Sequence, residues 1–388
     1  MDLTTFERLL APPGQALLAE VAACADNESD LSLGTRLRRQ HDSALVAAAV
    51  TQHRLRDRAR SKFGTDAARM YFTHDALEQA TRAPVATHRA ERLREAGSPA
   101  VIDLGCGIGG DLIAFARAGL RVRGIDRDEV RVAVSRANLA ALGLQGSVEQ
   151  GDATGTTIKP DEVAFADPAR RDGRGRTFST AGLTPPWEWV TRLLTGRAVV
   201  KLMPGLGHDA VPHGVEAEWV SHRGDLVEAC LWGPPFATAT RRATVLPSGR
   251  TLVRLGTPVE TGDTGSFLWE PDDAVIRAGL VGELAAELGG WLLDPHIAYI
   301  TTDTEHDSSL GRCFRIVEEL PFREKPLRAA LVARDVGTLT IKKRGVDIVP
   351  EALVKRLRLR GTRTATVVMT RVDGNGRALL VEPVGDAR

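Results

Sequence analysis

The chain has 388 residues, a formal net charge of +1, and 43% hydrophobic and 26% charged residues. This composition predicts a folded chain of two or three domains and argues against a disordered or strongly acidic one. No apolar run reaches the roughly 20 residues that a bilayer requires, so we expect no membrane span. The four cysteines are widely separated, without a CxxC pair or metal-ligand spacing. We therefore expect free thiols, a reducing cytoplasmic location and no metal.

The first 69 residues predict an N-terminal helical domain. Apolar residues recur there at helical spacing, and strand signals are few. Residues 70–94 then predict two further helices, the first capped by Thr73. Phe72 and Thr73 precede the first predicted strand, where a segment often covers a bound cofactor. They are candidates for a lid, with core packing as the alternative.

The central motif is VIDLGCGIGG at 101–110. An apolar run ends at Asp103, closely spaced glycines follow, and a helical pattern begins. A second apolar run, 122–125, ends in Asp126. This order predicts a strand, a tight turn, a helix and a second strand, which together form a nucleotide pocket at the carboxyl edge of a parallel sheet.

Two cofactors compete for this pocket. Gly105, Gly107 and Gly110 satisfy the GxGxxG pattern of dinucleotide sites, which by itself suits NAD. However, Asp103 would repel a pyrophosphate, whereas it can accept a hydrogen bond from an ammonium group. Further carboxylates, Asp152 and Asp167, follow the third and fourth predicted strands. The pattern favours S-adenosylmethionine, which carries an ammonium group and no phosphate.

Each predicted cofactor contact follows from this assignment. The glycines allow the backbone to approach the cofactor closely. Asp103 is expected to bind the amino group, Asp126 the ribose hydroxyls, and Asp152 the adenine amino group. Asp111 either contacts the cofactor or caps the helix. The predicted cofactor-binding residues are Asp103, Gly105, Cys106, Gly107, Gly109, Asp126, Arg127, Asp152 and Ala153, with Phe72 and Thr73.

Catalysis is expected in the segment DPARRDGRGRTF, residues 167–178. A methyl sulfonium needs no further activation, so the enzyme must align the acceptor and in some cases remove its proton. Asp167 is the candidate for both tasks, and Pro168 shapes the turn. Arg170 and the arginines after it suit an anionic substrate, with a plain surface loop as the alternative. Lys201, near the end of the predicted strand 198–204, either faces the site or lies in solvent.

The second half of the chain predicts further strands, a linker and a small α/β domain. Residues 242–246 and 251–255 predict a hairpin, 257–266 a linker, and 271–288 a helical region that we extend more weakly over 292–300. The dipeptide Asn375-Gly376 predicts a second hairpin. Segments 35–62 and 341–363 each contain eight basic and two acidic residues, which suits a polyanion such as RNA or two solvated helix faces.

Three stretches together carry a resemblance to a known family: DLGCGIGGD, FADPARR and LTIKKRGVDIVPEALVKRLRLRG. The chain resembles bacterial class I S-adenosylmethionine-dependent methyltransferases with a C-terminal THUMP-like domain, from about Lys62 to the end. The glycine motif is specific for the class, and the IKKRG stretch is more specific for the family. The lead-in at 70–93 also resembles the trimethylguanosine synthase branch.

The resemblance implies a Rossmann-like, doubly wound α/β sheet and an RNA substrate. One departure is Asp167-Pro168-Ala169-Arg170, which lacks the aromatic residue that base-nitrogen methyltransferases commonly carry after their D/N-P-P motif. We expect four regions: a helical domain (1–69), a methyltransferase domain (70–255), a linker and helical connector (256–313), and the THUMP-like domain (314–388).

The resulting hypothesis is a methyltransferase that uses S-adenosylmethionine and acts on RNA, gripped by both basic segments. A methyltransferase of a small anionic metabolite is one alternative. A non-catalytic RNA-binding protein that retains the cofactor pocket is another.

Overall fold

The computed structural model describes residues 1–24, 28–170 and 182–385, apart from the side chains of Asp30 and Arg170. Contacts divide the chain into two compact units. The first unit consists of Met1–Leu202, Leu206–Val215 and Cys230–Ala237, and the second of Met203–Gly205, Glu216–Ala229 and Thr238–Arg388. Within the described residues, no helix has the length and apolar character of a membrane span. The four regions proposed from the sequence stay a prediction.

The first unit begins with helices, as the apolar spacing predicts. The Asp42 carboxylate accepts a hydrogen bond from Leu45 N at the start of the longest helix, and Thr73 accepts one from Ala76 N, which confirms its predicted capping role. The helices are α1 (Leu3–Leu10), α2 (Pro12–Cys24), α3 (Asp30–Leu37), α4 (Ser43–Phe63), α5 (His74–Gln79) and α6 (Ala83–Glu95).

Strands and helices then alternate. The elements are β1 (Ala100–Leu104), α7 (Gly110–Arg117), β2 (Arg121–Asp126), α8 (Glu129–Ala141), β3 (Ser147–Gln150), β4 (Glu162–Ala166), β5 (Ala169–Arg170), β6 (Leu183–Thr184), α9 (Trp187–Leu193) and β7 (Ala198–Leu202). Five strands pair in the order β3-β2-β1-β4-β7, and every pair in this series is parallel. The chain order reverses between β1 and β4, which is where doubly wound sheets bind ligands.

A continuous hydrophobic core joins the N-terminal helices to this sheet. Phe6 and Leu17 from the first helices, Phe115 from α7 and Phe165 from β4 all belong to it and are fully or almost fully buried. The helical region is therefore packed into the same core as the cofactor sheet. This burial is a main source of the unit's stability, because the free energy gained scales with the apolar area removed from water.

The second unit contains the remaining elements. They are β8 (Glu216–His222), β9 (Asp225–Trp232, whose last three residues belong to the first unit), β10 (Arg241–Leu246), β11 (Arg250–Val253), β12 (Phe267–Pro271), α10 (Asp273–Ala278), α11 (Val281–Glu287), β13 (Trp291–Leu292), β14 (Ile300–Thr302), β15 (Gly311–Leu320), α12 (Glu324–Ala333), β16 (Val336–Lys343), α13 (Pro350–Leu357), β17 (Arg363–Val372) and β18 (Asn375–Pro383). Seven of the strands form a sheet in the order β13-β14-β12-β15-β18-β17-β16.

Two details of this unit differ from the sequence prediction. The weak helix over residues 292–300 is wrong, because Trp291–Leu292 and Ile300–Thr302 are short strands that pair with one another. The predicted hairpin at Asn375-Gly376 is present, but its turn is Asp373-Gly374. Both turn residues have positive φ, 46° and 76°, as a type I′ turn requires, and Asn375 already pairs with Val372.

The turn between β1 and α7 depends on Gly109. Its φ is +84°, and an added Cβ would lie 2.6 Å from the Ser135 hydroxyl of α8. Gly119, at the other end of α7, has nearly the same φ of +85° with open space around its Cβ position. The two glycines therefore share one backbone conformation and differ in crowding.

We predict that Gly109→Ala destabilises the protein more than Gly119→Ala. The Gly119 variant should lose roughly 1 kcal/mol from left-handed backbone strain. The free energy of unfolding of the Gly109 variant should fall by that amount and by a further amount from the contact with Ser135. Urea unfolding of both variants measures the difference. Equal losses would show that the contact with Ser135 is relieved without cost.

Candidate functional site

A cavity of about 380 Å³ opens at the carboxyl edge of β1, β2 and β4. Its size falls within the range of small-molecule sites, roughly 300–1,000 Å³. Eight of the predicted site residues line it: Asp103, Gly105, Cys106, Gly107, Asp126, Arg127, Ala153 and Asp167. The cavity also includes residues that the sequence did not point to, among them Ala76, Thr81, Thr184 and Pro185.

Asp126 ends β2 beside the glycine turn. It is buried, and its two carboxylate oxygens accept hydrogen bonds from Gly107 N (2.9 Å) and Asp128 N (3.0 Å). These bonds hold the carboxylate in one orientation at the cavity wall. Each oxygen retains a second lone pair, which suits the pair of hydroxyls on a ribose.

Asp103 is the last residue but one of β1 and lines the cavity, with only 2% of its surface exposed. Burial raises its pKa well above the ordinary value, and the neighbouring carboxylates Asp111, Asp167 and Asp126 raise it further. The Arg89 guanidinium acts in the opposite direction. A carboxyl group in such surroundings gains most from a cationic partner, because a cation relieves both burial and repulsion.

Asp111, at the start of α7, is held by a buried ion pair. It accepts hydrogen bonds from Arg89 Nη1 and from Thr81 Oγ1, the latter at 2.7 Å. The Arg89 guanidinium also lies over the Phe165 ring, 4.8 Å from its centre. Asp111 lines the cavity and also lies in the first turn of α7, so both of its predicted roles stay open, and its carboxylate is engaged by Arg89 and Thr81.

Sequence reasoning missed Arg89, although a signal was present. In α6, Arg89 shares the buried face with Val85, Ala86, Ala90 and Leu93. An arginine on an apolar helical stripe must find a buried acid, since an unpaired buried charge is very costly. That position could have been identified, but not its partner Asp111, which lies 22 residues further along the chain.

Asp167 follows β4 and forms an ion pair with Lys201 of β7, with Lys201 Nζ 2.5 Å from Asp167 Oδ2. Lys201 therefore faces Asp167, as one of its two predicted positions required. Its side chain is 15% exposed and that of Asp167 is 35% exposed. Pro168 is buried next to it, and the backbone of Arg170 pairs with Leu183 in a short hairpin. The Arg170 side chain and Arg171, Arg174 and Arg176 lie outside the described residues.

Asp152 is engaged elsewhere. Its carboxylate accepts hydrogen bonds from Arg127 Nη2 (2.6 Å) and from the backbone and side chain of Thr154 (2.8 and 2.7 Å). The Thr154 side chain is the largest of the influences that lower its pKa. Among the described residues on the cavity wall, Gly151 and Ala153 are present but Asp152 is not. Its Oδ2 oxygen has only Arg127 as a donor and retains a lone pair, so the contact with adenine stays a prediction.

Phe72 and Thr73 have structural roles, in line with the packing alternative. Phe72 is fully buried, and Gln52 exchanges two hydrogen bonds with its backbone. Asn138 does the same for Tyr71 and also donates to Ile108 O, which ties this segment to the glycine turn. Neither Phe72 nor Thr73 is found among the described residues lining the cavity. The α5 end lines it instead, through Ala76, Gln79 and Ala80.

Cys106 and Gly109 complete the predicted set. Cys106 lies in the glycine turn and lines the cavity, and burial raises the pKa of its thiol well above the ordinary value. A thiol with a raised pKa is a poor nucleophile at neutral pH, so it contributes shape rather than chemistry. Gly109 is the N-cap of α7 behind the turn and is not part of the described cavity wall.

The described residues include no cluster of three or more side chains suited to holding a metal ion.

Comparison with known proteins now identifies the class. A methyltransferase domain model matches residues 101–166, a THUMP domain-like model matches 311–383, and a domain of unknown function matches 2–59. A solved structure named as a methyltransferase from Porphyromonas gingivalis W83 has the same fold, with a TM-score of 0.77 over 96% of this chain and 99% of that one, at 22% identity.

Curated relatives place the chain within this class. An uncharacterised S-adenosylmethionine-dependent methyltransferase of Mycobacterium tuberculosis, found in strains CDC 1551 and H37Rv, is 41% identical over 331 residues, which cover 82% of this chain and 90% of the relative. The ribosomal RNA small subunit methyltransferase C of Alcanivorax borkumensis is 30% identical over 134 residues, 34% of this chain and 38% of the relative. The chain belongs to the bacterial class I S-adenosylmethionine-dependent methyltransferases with a C-terminal THUMP-like domain.

The cavity suits this cofactor. S-adenosylmethionine has an ammonium group, a sulfonium and a ribose, and the wall offers a buried carboxyl group at Asp103 and an oriented carboxylate at Asp126. We propose that Asp103 binds the ammonium and Asp126 the ribose hydroxyls. The cofactor supplies the electrophilic methyl group.

The raised pKa of Asp103 predicts opposite effects of Asp103→Asn on binding and on stability. S-adenosylmethionine should bind about tenfold more weakly to this variant, because a charge-assisted hydrogen bond is lost. The affinity of the unsubstituted protein should fall as the pH drops through the raised pKa of Asp103, and that of the variant should not. Calorimetric titration across pH measures both, with Glu149→Gln, an exposed acid on β3, as the control.

The stability effect has the opposite sign. Between the ordinary and the raised pKa, the unfolded chain has lost a proton that the folded protein keeps, so the free energy of unfolding decreases as the pH rises. Asp103→Asn should remove this decrease and leave the cofactor-free protein at least as stable at neutral pH. Tight, pH-independent cofactor binding by the variant would rule out the proposed contact.

We predict that Arg89→Met destabilises the protein by about 3–5 kcal/mol, because it leaves Asp111 buried without its cation. The control is Arg94→Met on the same helix, where the side chain is half exposed and pairs with Glu91, and its loss should be about 0–1 kcal/mol. Denaturant unfolding compares the two. Adding Asp111→Leu to Arg89→Met should recover much of the loss, and a failure to do so would place the role of Arg89 outside the ion pair.

Proposed function

We propose that this methyltransferase transfers the methyl group to RNA and that Asp167 positions the accepting group. The observation that carries the catalytic part is the Asp167–Lys201 pair at the cavity that suits the cofactor. A methyltransferase needs an oriented acceptor more than a strong base, because the positive sulfonium already activates the methyl group and a neutral thioether is a good leaving group. The ion pair with Lys201 holds the Asp167 carboxylate in one orientation, so that it can accept a hydrogen bond from the acceptor at a fixed position.

We propose different tasks for the two carboxylate oxygens of Asp167. Lys201 Nζ bonds Oδ2, so Oδ1 is the oxygen available to accept a hydrogen bond from the acceptor's N–H or O–H. Such a bond would direct the acceptor's lone pair toward the methyl group. As the acceptor takes the methyl group, it would gain positive charge beside this carboxylate, which would stabilise the transition state more than the ground state and then receive the acceptor's proton.

The C-terminal region supports RNA as the substrate. It matches a THUMP domain-like model, and one relative of the chain is named as a ribosomal RNA methyltransferase. Within segment 341–363, four cations are exposed and form no salt bridge with any described residue: Lys343, Lys355, Arg358 and Arg360. Cations without acid partners are what phosphate binding requires.

The other basic segment contributes less to this proposal. In 35–62, Arg36 pairs with Glu20 and Glu28, Arg58 with Glu78, and Arg56 donates to Met70 O. Lys62 Nζ donates to three carbonyl oxygens, those of Leu77, Glu78 and Ala80, at 2.7–2.9 Å. Much of its charge is thus committed to the fold, and we base RNA binding on segment 341–363.

The proposal predicts RNA-dependent methyl transfer that requires Asp167. Full-length protein with methyl-labelled S-adenosylmethionine should label total RNA, and ribonuclease treatment should remove the acceptor. Asp167→Asn should reduce the rate about 10²-fold, because the acceptor loses the carboxylate that orients it, while the protein still binds the cofactor. Asp161→Asn is the control, since Asp161 is an exposed acid that pairs with Arg121 just before the same strand.

A parallel incubation with a small-metabolite extract tests the substrate class. Label in the metabolite fraction and none in RNA would contradict the RNA assignment. Unchanged transfer by Asp167→Asn would contradict the catalytic assignment, whichever acceptor is labelled.

A further inference from the structure

The second compact unit contains a cavity of its own, of about 890 Å³. It lies where the ends of β8, β10, β12 and β16 and the start of β15 meet. This volume matches a ligand of nucleotide size and exceeds what a single inorganic ion needs.

Four cations line this cavity, and two of them come from the IKKRG stretch. Lys342 and Arg344 are on its wall, whereas Lys343 between them is exposed and absent from the described wall. Alternate residues of an extended chain point to opposite sides, which explains this division. The family-specific stretch therefore directs two of its three charges into the cavity.

The acids on the wall are largely committed to other partners. Glu270 accepts a hydrogen bond from Lys342 Nζ at 2.6 Å and lies 3.9 Å from Arg344 Nη2. Asp272 accepts from Ala274 N at 2.9 Å, and burial raises its pKa. Asp273 is exposed at the rim. Lys342 and Arg344 are thus partly neutralised within the wall.

The remaining two cations, Arg223 and Arg312, are exposed, line the cavity and form no salt bridge with any described residue. Arg312 is close enough to Asp272 to lower the pKa of that carboxyl group, against the larger effect of burial. Arg312 reaches the turn that contains Arg223 and Gly224, because Arg312 Nη2 lies 3.2 Å from the position that a Cβ on Gly224 would occupy. Each guanidinium group offers planar donor pairs that match the oxygens of a phosphate.

Part of the wall is apolar and consists of Val245, Leu246, Pro247 and Pro271. An apolar wall next to exposed guanidinium groups suits a ligand with a ring at one end and an anion at the other. We propose that this cavity binds a phosphate ester of nucleotide size, with Arg223 and Arg312 holding the phosphate. The site is separate from the cofactor cavity and does not depend on the proposed RNA acceptor.

The test uses the full-length protein with S-adenosylhomocysteine added to fill the cofactor cavity. Calorimetry compares the affinity for uridine monophosphate with that for uridine. It also compares an eight-nucleotide RNA with a 5′-phosphate with the same RNA without it. Arg223→Gln and Arg312→Gln should each weaken binding of the phosphorylated probes about tenfold, since one charge-assisted contact is lost. Arg323→Gln, an exposed arginine outside the described cavity wall, is the control, and thermal melting verifies that all variants fold.

The results distinguish the source of the phosphate. Binding of uridine monophosphate that depends on Arg223 and Arg312 supports a free nucleotide. Preference for the phosphorylated RNA alone, with the same dependence, supports the end of an RNA strand. Two results would overturn the proposal. In the first, neither phosphorylated probe binds more tightly than its unphosphorylated form; in the second, both variants bind the probes as tightly as the unsubstituted protein does. Neither result involves methyl transfer, so this proposal and the proposed function can fail separately.

Discussion

The cofactor cavity depends on one buried ion pair, Arg89–Asp111. Parallel strands bring the carboxylates Asp103, Asp126 and Asp167 to a single sheet edge, and Asp111 of α7 adds a fourth. Their mutual repulsion would be severe in a buried setting without a cation. Arg89 supplies a cation to Asp111 from α6 and also covers Phe165, while Lys201 of β7 supplies a second cation to Asp167. The pair therefore joins the lead-in helix to the glycine turn and allows the remaining carboxyl groups to stay available to a cationic ligand.

Much of this site could be predicted from the sequence because it is encoded locally. Asp103, Asp126 and Asp167 each follow an apolar run, and the carboxyl ends of parallel strands meet by geometry. Asp152 shows the limit of that rule. It also follows a strand, yet its carboxylate bonds Arg127 and Thr154, and nothing in the order of residues reveals which donor a side chain will select. The same holds for Phe72, whose backbone is held by Gln52, 20 residues earlier.

The secondary structure of the second unit was less predictable, for a physical reason. Short strands such as Trp291–Leu292 and Ile300–Thr302 gain stability from neighbours in the sheet, not from their own propensity. Strands this short show no alternating pattern of apolar residues, so the sequence does not distinguish them from the end of a helix. The hairpin at Asp373-Gly374 shows the converse. The sequence VDGNG contains two turn dipeptides, and the pairing of β17 with β18 determines which of them becomes the turn.

The near-zero net charge conceals two local environments of opposite sign. The first unit buries carboxyl groups around a cavity that suits a cationic cofactor, while the second exposes arginine and lysine side chains and lines its own cavity with four cations. Counting charges along the sequence could not separate these environments, because segments 35–62 and 341–363 contain the same numbers of basic and acidic residues. The two segments differ in how far acids and carbonyl oxygens engage each cation. Lys62 is held by three carbonyl oxygens, whereas Lys343 is exposed and forms no salt bridge with any described residue, so only Lys343 can bind an anion without losing bonds that hold the fold.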